Sequence, residues 1–409
     1  MQKKSRWVLC AFAIAALLAW SGCSNSSNVP ANNSLMWVAT QGDQLVRTFT
    51  INQENGSINP VGNSKGNPAA TGVQPVQMAI TPDGKTMFIV NSGANGTSGS
   101  ITSYTFNGDG SLKAAGAGVA AGETPIALAI DPGGKFLFVA NQGTSGDPAS
   151  GTVSVFSVSG ASLAEVAGSP FPTEVTGDVT GTGPTAVAVS PVGNYLYVAN
   201  VFSNTVQSFA YDSSSGALTL IASYAAGTNP AGLAFSRCAG ITASTATGSC
   251  PAADGNHLFV TNSGSNNISV FVACIQISGT CSSPNGTLTP IASGSPFAAG
   301  VGPAMIFTDP TSDYVYAVDR GSSQVSEYQY SPVTGALTTL ASGSGGASVF
   351  AGAITQNVSN TTSTSNWVVV TNNGASSLSV FRVAVTGKLI GLSSGPYQIQ
   401  GQPSAILLR

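Results

Sequence analysis

Charged side chains are scarce in this sequence, and histidine is nearly absent. Of its 409 residues 7% are charged, one is histidine, and the formal net charge is −3. Ordinary soluble domains carry about 25% charged residues, so this surface must be built from Ser, Thr, Asn, Gln and Gly. The absence of a basic patch argues against nucleic acid and strongly anionic partners. No EF-hand loop or His-based spacing appears, so we expect no metal, and we expect no cofactor.

Long segments of helical periodicity are also missing after the N-terminal region, which excludes α/β folds. No later segment is long and apolar enough to span a membrane. Hydrophobic residues make up 42% of the chain, enough for a folded core, so the low charge does not indicate disorder. The 49 glycines and 22 prolines indicate many turns.

The N-terminus has the pattern of an export signal. Three basic residues precede the uncharged, mostly apolar run 7–20, which suits a signal peptide and is too short to span a bilayer. The run leads into Ser21-Gly22-Cys23, which resembles a bacterial lipobox with Trp20 in place of the usual leucine. We therefore predict residues 1–23 as a signal with Cys23 as the lipidated residue, and 24–33 as a polar tether. Ordinary cleavage, giving a soluble exported protein, is the alternative.

The cysteines agree with export. Besides Cys10 and Cys23, four cysteines fall in one stretch of the chain, and in an oxidising compartment they most simply form two disulfides. The shortest closures pair Cys238 with Cys250 and Cys274 with Cys281, although pairing across the two remains possible. Zinc is the competing interpretation, but there is no Cys-x-x-Cys pair to support it.

One phrase recurs along the chain. It consists of Pro, three residues, Ala, an aliphatic residue, a polar residue, Pro, a glycine-containing turn and an aromatic-aliphatic run that ends in Asn. Five copies begin at a proline and a sixth, degenerate copy begins at a valine: Pro75, Pro125, Pro184, Pro230, Pro303 and Val349. Each copy is followed by a polar loop, an alternating segment and a short leucine-bearing segment, so each unit holds four predicted strands, A to D.

Four strands per repeat of roughly 40 to 50 residues is the pattern of a β-propeller, and the longest interval, from Pro230 to Pro303, holds the four clustered cysteines. The chain begins with segments of B, C and D type, Leu35 to Ile58, and ends with a lone A-type segment, Gln402 to Leu408. Together they would make a seventh blade that closes the ring. We therefore predict an all-β, seven-bladed β-propeller over residues 34–409, with a decorated blade at 230–300.

The run Ser190 to Asn200 resembles the repeats of the lactonase-family seven-bladed propellers, the group that contains 6-phosphogluconolactonase-like proteins and YVTN-type surface repeats. The resemblance covers nearly the whole mature chain and implies lactone chemistry. It also implies an Arg-His pair at the start of a strand A in catalytic members. The equivalent places in this chain are Thr185-Ala186, Ala231-Gly232 and Ala304-Met305, and none has Arg or His.

Strand order assigns two faces. The A–B turns and C–D hairpins lie on one, the turn face; the B–C and D–A loops lie on the other, the loop face, where propellers of this type usually bind ligands. Asp319 and Arg320 replace the recurrent pattern in the fifth copy and place two charges there, with a local ion pair as the simplest interpretation. Glu123 and Asp178 also fall on this face. Glu123, Asp319 and Arg320 are the candidate catalytic residues, since a carboxylate could act as a general base or bind a cation.

Three other features receive structural interpretations. His257 opens a strand on the turn face. The asparagines that end the B strands recur once per blade, so the architecture explains them: Asn91, Asn141, Asn200, Asn262 and Asn372. The G-x-S-x-G match at 62–66 lacks a strand-turn-helix context, and the glycine-rich stretch 177–183 opens no helix that could bind phosphate.

From these observations we predict a cell-envelope, membrane-anchored lipoprotein of the lactonase family. It would bind a neutral glycan, a lactone or an envelope protein through the loop face without catalysis. A 6-phosphogluconolactonase-like hydrolase with an atypical site is the alternative, and a structural surface-layer protein is a further one.

Overall fold

The computed structural model describes residues 32–63, 66–94, 98–144, 147, 150–173, 182–236, 256–275, 281, 283–292, 294–310, 313–344, 346, 348–356 and 366–409. Within these ranges the regular structure is entirely β-strand, arranged as seven antiparallel sheets around a ring. The predicted seven-bladed β-propeller is therefore confirmed. The signal region, Cys23 and most of the predicted tether lie outside the described residues. No helix in the described part of the chain could span a membrane.

The first four strands belong to blade 7, and the next strands form blades 1 and 2. Blade 7 begins with β1 (Asn33–Thr40), β2 (Leu45–Asn52), β3 (Ile58–Pro60) and β4 (Ala69–Ala70). Blade 1 contains β5 (Pro75–Ile80), β6 (Thr86–Asn91), β7 (Ser98–Phe106), β8 (Leu112–Ala114) and β9 (Val119–Glu123). Blade 2 contains β10 (Pro125–Ile130), β11 (Phe136–Asn141), β12 (Thr152–Ser159), β13 (Ser162–Glu165) and β14 (Phe171–Pro172).

Blades 3 to 6 follow the same order, and the last strand returns to blade 7. Blade 3 contains β15 (Pro184–Val189), β16 (Tyr195–Asn200), β17 (Thr205–Tyr211) and β18 (Leu218–Ala225). Blade 4 contains β19 (Pro230–Phe235), β20 (His257–Asn262), β21 (Asn267–Ala273), β22 (Leu288–Pro290) and β23 (Phe297–Ala298). Blade 5 contains β24 (Pro303–Thr308), β25 (Tyr314–Asp319), β26 (Gln324–Tyr330) and β27 (Leu337–Ser344). Blade 6 contains β28 (Val349–Ile354), β29 (Trp367–Asn372), β30 (Ser377–Val383), β31 (Leu389–Gly391) and β32 (Tyr397–Gln398), and the chain ends with β33 (Pro403–Leu408).

The two ends of the chain close the ring as the sequence predicted. Strand β33 pairs antiparallel with β1, with Trp37 opposite Leu407 and Ala39 opposite Ala405. Blade 7 thus takes its A strand from the C-terminus and its B, C and D strands from the N-terminus. Strand β1 begins at Asn33, which pairs with Asn52, so the sheet starts one residue before the predicted propeller boundary. Closure leaves no open edge at the junction of first and last blades.

The hydrophobic core consists of seven separate layers, one between each pair of neighbouring blades. The B strands are packed on both faces, so almost every residue in them is buried. This explains why they read as continuous aromatic-aliphatic runs instead of alternating ones, since alternation requires one solvated face. Only the neighbouring blade completes each layer, so the blades stabilise one another around the ring.

The first residue of most B strands packs on a hairpin glycine of the next blade. Tyr195 covers Gly286, where an added Cβ would lie 2.4 Å from the tyrosine ring, and Trp367 covers Gly56 in the same way. Both glycines have positive φ, 75° at Gly286 and 72° at Gly56. Glycine is therefore required twice over at these hairpins, for its backbone conformation and for the close approach of the ring.

One of the two predicted disulfides is observed. Cys274 and Cys281 are bonded in the C–D hairpin of blade 4, with Cα atoms 5.3 Å apart. Cys238 and Cys250 lie outside the described residues, so their pairing stays a prediction.

Candidate functional site

The seven A strands surround a central channel. A β-bulge or irregularity interrupts the pairing of strands A and B near the loop face in every blade, for example between Pro125 and Ala127 and between Pro303 and Met305. Such bulges re-aim side chains at the rims of closed sheets. The loop-face half of the channel has a volume of about 160 Å³. It is lined at this end by Val76, Gln77, Ile126, Thr185, Ala231, Ala304, Arg320 and Ser404, among others.

The polar side chains of the channel wall are used to hold neighbouring blades together. The Thr185 hydroxyl donates to the backbone oxygen of Pro230 at 2.8 Å, and the Ser404 hydroxyl donates to that of Pro75 at 2.5 Å. Gln77 accepts a hydrogen bond from the Leu128 amide at 2.7 Å. Each bond joins one A strand to the next. The hydroxyl protons of Thr185 and Ser404 are therefore used in contacts between blades.

The positions that correspond to the family's Arg-His pair lie in this wall and carry no titratable side chain. Thr185 bonds to the next blade, as described, and Ala231 lines the channel. Gly232 lies against blade 5, where an added Cβ would be 2.8 Å from the Ala304 backbone oxygen. Backbone cannot move aside as a flexible side chain can, so a histidine at this position would force the two blades apart.

Arg320 is the charged side chain that reaches the channel mouth. It directly follows β25 of blade 5 and extends to blade 6, where its Nε donates to the backbone oxygen of Phe350 at 2.9 Å. The guanidinium carbon lies 3.9 Å from the centre of the Phe350 ring, a cation–π contact. The surrounding channel wall lowers the pKa of Arg320 to about 10, yet the residue remains exposed to solvent from the loop face. It is therefore a positive group at neutral pH.

Asp319 and Arg320 do not form the ion pair that the sequence suggested. The Asp319 side chain is fully buried inside blade 5, where its Oδ2 accepts from the Ser326 hydroxyl at 2.7 Å. Arg320 points the other way, toward Phe350. Burial raises the pKa of Asp319 to about 6. The expectation was wrong because Asp319 ends a strand and points into the blade, whereas Arg320 starts the loop.

Asp319 occupies the position of the recurrent asparagines. The contacts of these asparagines support the structural role that the sequence predicted for them. These asparagines are fully buried, and their Nδ2 atoms donate to strand C of the same blade, as in Asn141 to Ser154 at 2.9 Å and Asn372 to Ser379 at 2.9 Å. In these five blades the amide ties strand B to strand C, which is a structural role, and it offers nothing to a ligand in the channel.

Glu123 lies at the loop face, at the end of β9. Its Oε1 accepts from the Thr144 hydroxyl at 2.5 Å, which joins the D–A loop to the B–C loop of blade 2. The carboxylate is partly exposed. The structure thus places Glu123 and Arg320 on the same face but on different blades, and Glu123 does not line the channel. Asp178, the stretch 177–181 and Ser64 of the G-x-S-x-G match lie outside the described residues.

His257 is a packing residue at the other end of the molecule. It takes the position filled by Phe, Tyr or Trp in blades 2, 3, 5 and 6 and covers the hairpin glycine Gly335. Its Nδ1 shares a hydrogen bond of 2.6 Å with the Tyr330 hydroxyl, and burial lowers its pKa to about 4. The imidazole is neutral and enclosed at neutral pH, in agreement with its predicted structural role.

The turn-face end of the channel opens into a wider cavity of about 750 Å³. Phe235, Phe307, Ile354 and Leu408 contribute to its walls, and Arg409 lies at its edge with a hydrogen bond of 2.8 Å to the Gly84 backbone oxygen. Most of this wall is apolar, in contrast to the loop-face end. No group of three or more potential metal ligands occurs in the described ranges.

Sequence reasoning missed two features of the mouth. It did not pair Arg320 with Phe350, because these residues lie 30 positions apart in different blades and the bond uses a backbone oxygen. It also missed the inter-blade bonds of Gln77, Thr185 and Ser404. The only sequence signal for the latter was a polar residue one or two positions after the opening proline, where other blades have an aliphatic or small residue.

Several solved structures share this architecture. A periplasmic gluconolactonase from Pseudomonas aeruginosa, PpgL, superposes with a TM-score of 0.70 at 22% identity, covering 92% of this chain and 99% of that one. A protein from Bacteroides uniformis, provisionally assigned as a 6-phosphogluconolactonase, gives a TM-score of 0.72 at 19% identity, covering 92% and 100%. A similarly assigned protein from Bacteroides fragilis gives 0.68 at 19% identity, covering 93% and 98%. At these identities the likeness concerns the fold.

No curated protein matches this chain. A family model does, over residues 35–169, 147–272 and 249–398, which together span most of the sequence. That family is described as Lactonase, 7-bladed beta-propeller. Together with the seven closed blades, this match shows that the chain belongs to the lactonase family of seven-bladed β-propellers.

Proposed function

We propose that this chain is an exported, lipid-anchored propeller that binds a small polar ligand at the loop-face mouth of its channel without hydrolysing it. The observation that carries the proposal is the chemistry of the wall. In the described residues, the one titratable side chain lining the loop-face half of the channel is Arg320. A guanidinium can bind and orient a ligand but cannot serve as a general base at neutral pH.

The positions of the other titratable candidates also favour binding without hydrolysis. Asp319 is enclosed within its blade and engaged by Ser326. His257 is buried against Tyr330, away from the mouth. Water attack on a lactone needs a base within hydrogen-bond reach of the attacking water, and neither group reaches the channel.

Lactone hydrolysis is the second candidate, and Glu123 is the residue that would carry it. Its carboxylate is partly exposed on the loop face and bonds to Thr144 through one oxygen. The chain belongs to the lactonase family, and PpgL, which has the same fold, is named as a gluconolactonase. A ligand lying over blade 2 instead of in the channel would bring a lactone near this carboxylate.

Export is supported by two independent features. The basic start, the apolar run 7–20 and Cys23 form a lipobox-like signal. The bonded pair Cys274–Cys281 suits an oxidising compartment outside the cytosol. PpgL, similar in fold, is itself described as periplasmic.

Lactone turnover separates the two candidate functions. The full-length chain, purified in detergent with its disulfides intact, is assayed by pH-stat with glucono-1,5-lactone and 6-phosphogluconolactone. We expect rates equal to the uncatalysed reaction in the wild type and in Glu123→Gln. Turnover well above background that is lost in Glu123→Gln would overturn the binding proposal and establish the hydrolase.

Binding is measured on the same sample by calorimetry, with sugar acids, sugar lactones and neutral sugars as probes. We expect at least one probe to bind and to protect the protein against thermal unfolding. If none binds, a structural surface-layer role replaces the proposal.

Anchoring is tested by labelling cells with radioactive palmitate. We expect the label on the wild-type chain and its loss in Cys23→Ser, with the variant moving from the membrane to the soluble fraction. An unlabelled wild type in the soluble fraction would mean that the signal is simply cleaved.

A further inference from the structure

The guanidinium of Arg320 is held in one orientation before any ligand arrives. Its Nε donates to the Phe350 backbone oxygen at 2.9 Å, and its guanidinium carbon lies 3.9 Å from the centre of the Phe350 ring. Both contacts come from blade 6, across the interface from blade 5. A long, flexible side chain that is already ordered loses less conformational entropy on binding, which favours affinity.

These contacts leave the two terminal nitrogens of Arg320 available. In the described part of the chain the ion pairs are Arg47 with Asp43 and Lys85 with Asp83, and neither involves Arg320. Nη1 and Nη2 together form a planar fork of donors that matches a carboxylate in a two-point arrangement. In a chain with only 7% charged residues, an ordered cation without a counter-charge is a notable exception.

The size and charge of the mouth limit what the fork can hold. The adjoining channel has a volume of about 160 Å³, below the roughly 300 Å³ at which pockets for drug-sized ligands begin. Only a small molecule, or the small end of one, can enter. A single positive charge balances one carboxylate, whereas a phosphate dianion would remain half uncompensated.

In the described residues, the wall below Arg320 has no other charged side chain. Val76, Ile126, Thr185 and Ala231 are among the residues that line it. The hydroxyls of Thr185 and Ser404 donate to backbone oxygens of neighbouring A strands, and the Ser404 side chain is fully buried. The guanidinium of Arg320 is therefore the charged group that a ligand meets at this end of the channel.

We propose that the ligand of the loop-face mouth is a small monocarboxylate, whose carboxylate is held by the terminal nitrogens of Arg320. This rests on the proposed binding function and specifies its ligand class. A lactone has no carboxylate, so the site favours the open acid over the cyclic ester. The anion preference also departs from the neutral ligand that the low overall charge suggested.

The test measures affinities of the full-length chain by calorimetry at low salt for D-gluconate, glucono-1,5-lactone, D-glucose and 6-phosphogluconate. We expect gluconate to bind most tightly, and its affinity to fall as salt is raised. Arg320→Gln is expected to weaken gluconate binding by about 10- to 100-fold, the range for a charged hydrogen-bond pair. Arg320→Lys, which keeps the charge but loses the fork, should fall between the two.

Arg382→Gln is the matched control, because it removes the same charge from the exposed, turn-face end of blade 6. It is expected to bind gluconate like the wild type. Phe350→Leu tests the orientation of the fork without changing charge, and should weaken gluconate binding less than Arg320→Gln does. Thermal melts of all four variants confirm that they are folded.

The outcomes separate this inference from the proposed function. Gluconate affinity unchanged in Arg320→Gln would overturn the inference, as would tighter binding of 6-phosphogluconate, lactone or glucose than of gluconate. In those cases the binding function itself would stand. Absence of binding by every probe would overturn both.

Discussion

Blade 5 and blade 2 have the same backbone at the end of strand B but different chemistry. In blade 2 the strand ends with Asn141 and the Gln142 amide donates to the Thr124 backbone oxygen at 3.0 Å. In blade 5 it ends with Asp319 and the Arg320 amide makes the equivalent bond to Gly302, also at 3.0 Å. The repeated backbone therefore tolerates a change of charge without a change of geometry. Residues that recur build the scaffold, and the departure from the repeat marks the candidate site.

The same comparison holds for His257. Strand B of its blade begins with histidine where blades 2, 3, 5 and 6 have an aromatic residue. The imidazole packs on the hairpin glycine, as the aromatic residues do elsewhere, and forms a hydrogen bond. A departure from the repeat thus indicates function only where the side chain leaves the blade, as Arg320 does. Three variants test whether residues at positions shared by the blades stabilise the fold, and whether Asp319 of blade 5 destabilises it.

The largest effect is expected at a shared position. Trp367 is buried between blades 6 and 7, with its Nε1 donating to the Gln53 backbone oxygen at 2.9 Å. Trp367→Ala should lower the free energy of unfolding by about 3–5 kcal/mol, since it leaves a cavity in one of the seven layers. Urea unfolding measures the change. Ile390→Ala, at a site 44% exposed in the same blade, is the control and should lose no more than about 0.5 kcal/mol.

A loss below about 1 kcal/mol in Trp367→Ala would contradict the idea that closure depends on packing between neighbouring blades. Ligand binding by the folded fraction should be unchanged, because Trp367 begins its strand at the end away from the mouth.

The second largest effect is expected when the recurrent asparagine is restored in blade 5. Asp319 has a folded-state pKa raised to about 6 by burial, above the usual 3.8. The folded state therefore holds its proton more tightly than the unfolded state, and stability falls as the pH rises from about 4 to 6. Asp319→Asn removes this dependence. It should stabilise the protein by about 2–3 kcal/mol at pH 7.5 and by little at pH 3.5.

Asparagine at 319 can donate to Ser326 as Asn262 donates to Ser269 at 3.0 Å in blade 4. The measurement is the difference between variant and wild type across the pH range, because His257 acts in the opposite direction in the same window. A variant less stable than the wild type at pH 7.5 would show that the aspartate is required by the blade.

The smallest effect concerns His257. Burial lowers its pKa to about 4, below the usual 6.5, so the folded state loses stability as the pH falls below 6.5. His257→Phe should lose about 1 kcal/mol at pH 7.5, from the missing bond to Tyr330. At pH 4.5 it should instead gain about 2 kcal/mol relative to the wild type. Thermal melts at both pH values measure this.

Tyr330→Phe removes the partner hydroxyl and keeps the imidazole, so it should lose stability at pH 7.5 and keep the wild-type acid sensitivity. An acid sensitivity in His257→Phe equal to that of the wild type would refute the assignment of the titrating group.

Much of the fold could be predicted because each blade repeats one local pattern. The opening proline, the glycine turn and the run that ends in Asn fix the strands, and the A-type segment at the C-terminus indicates the shared seventh blade. The pair Cys274–Cys281 was predictable from its short spacing. The site was less accessible to sequence reasoning, because its contacts join different blades and use backbone atoms.

By itself, the sequence determined the number of blades, the strand order and the side on which the loops lie, since these follow from the pattern within each repeat and from the strand types at the two ends of the chain. Only the tertiary structure decided what each deviation does. Asp319 and Arg320 are neighbours in sequence, yet one is enclosed in blade 5 and the other lies on Phe350 of blade 6. The reason is physical: the end of a strand sends consecutive side chains in different directions, and the neighbouring blade determines which of them reaches the channel.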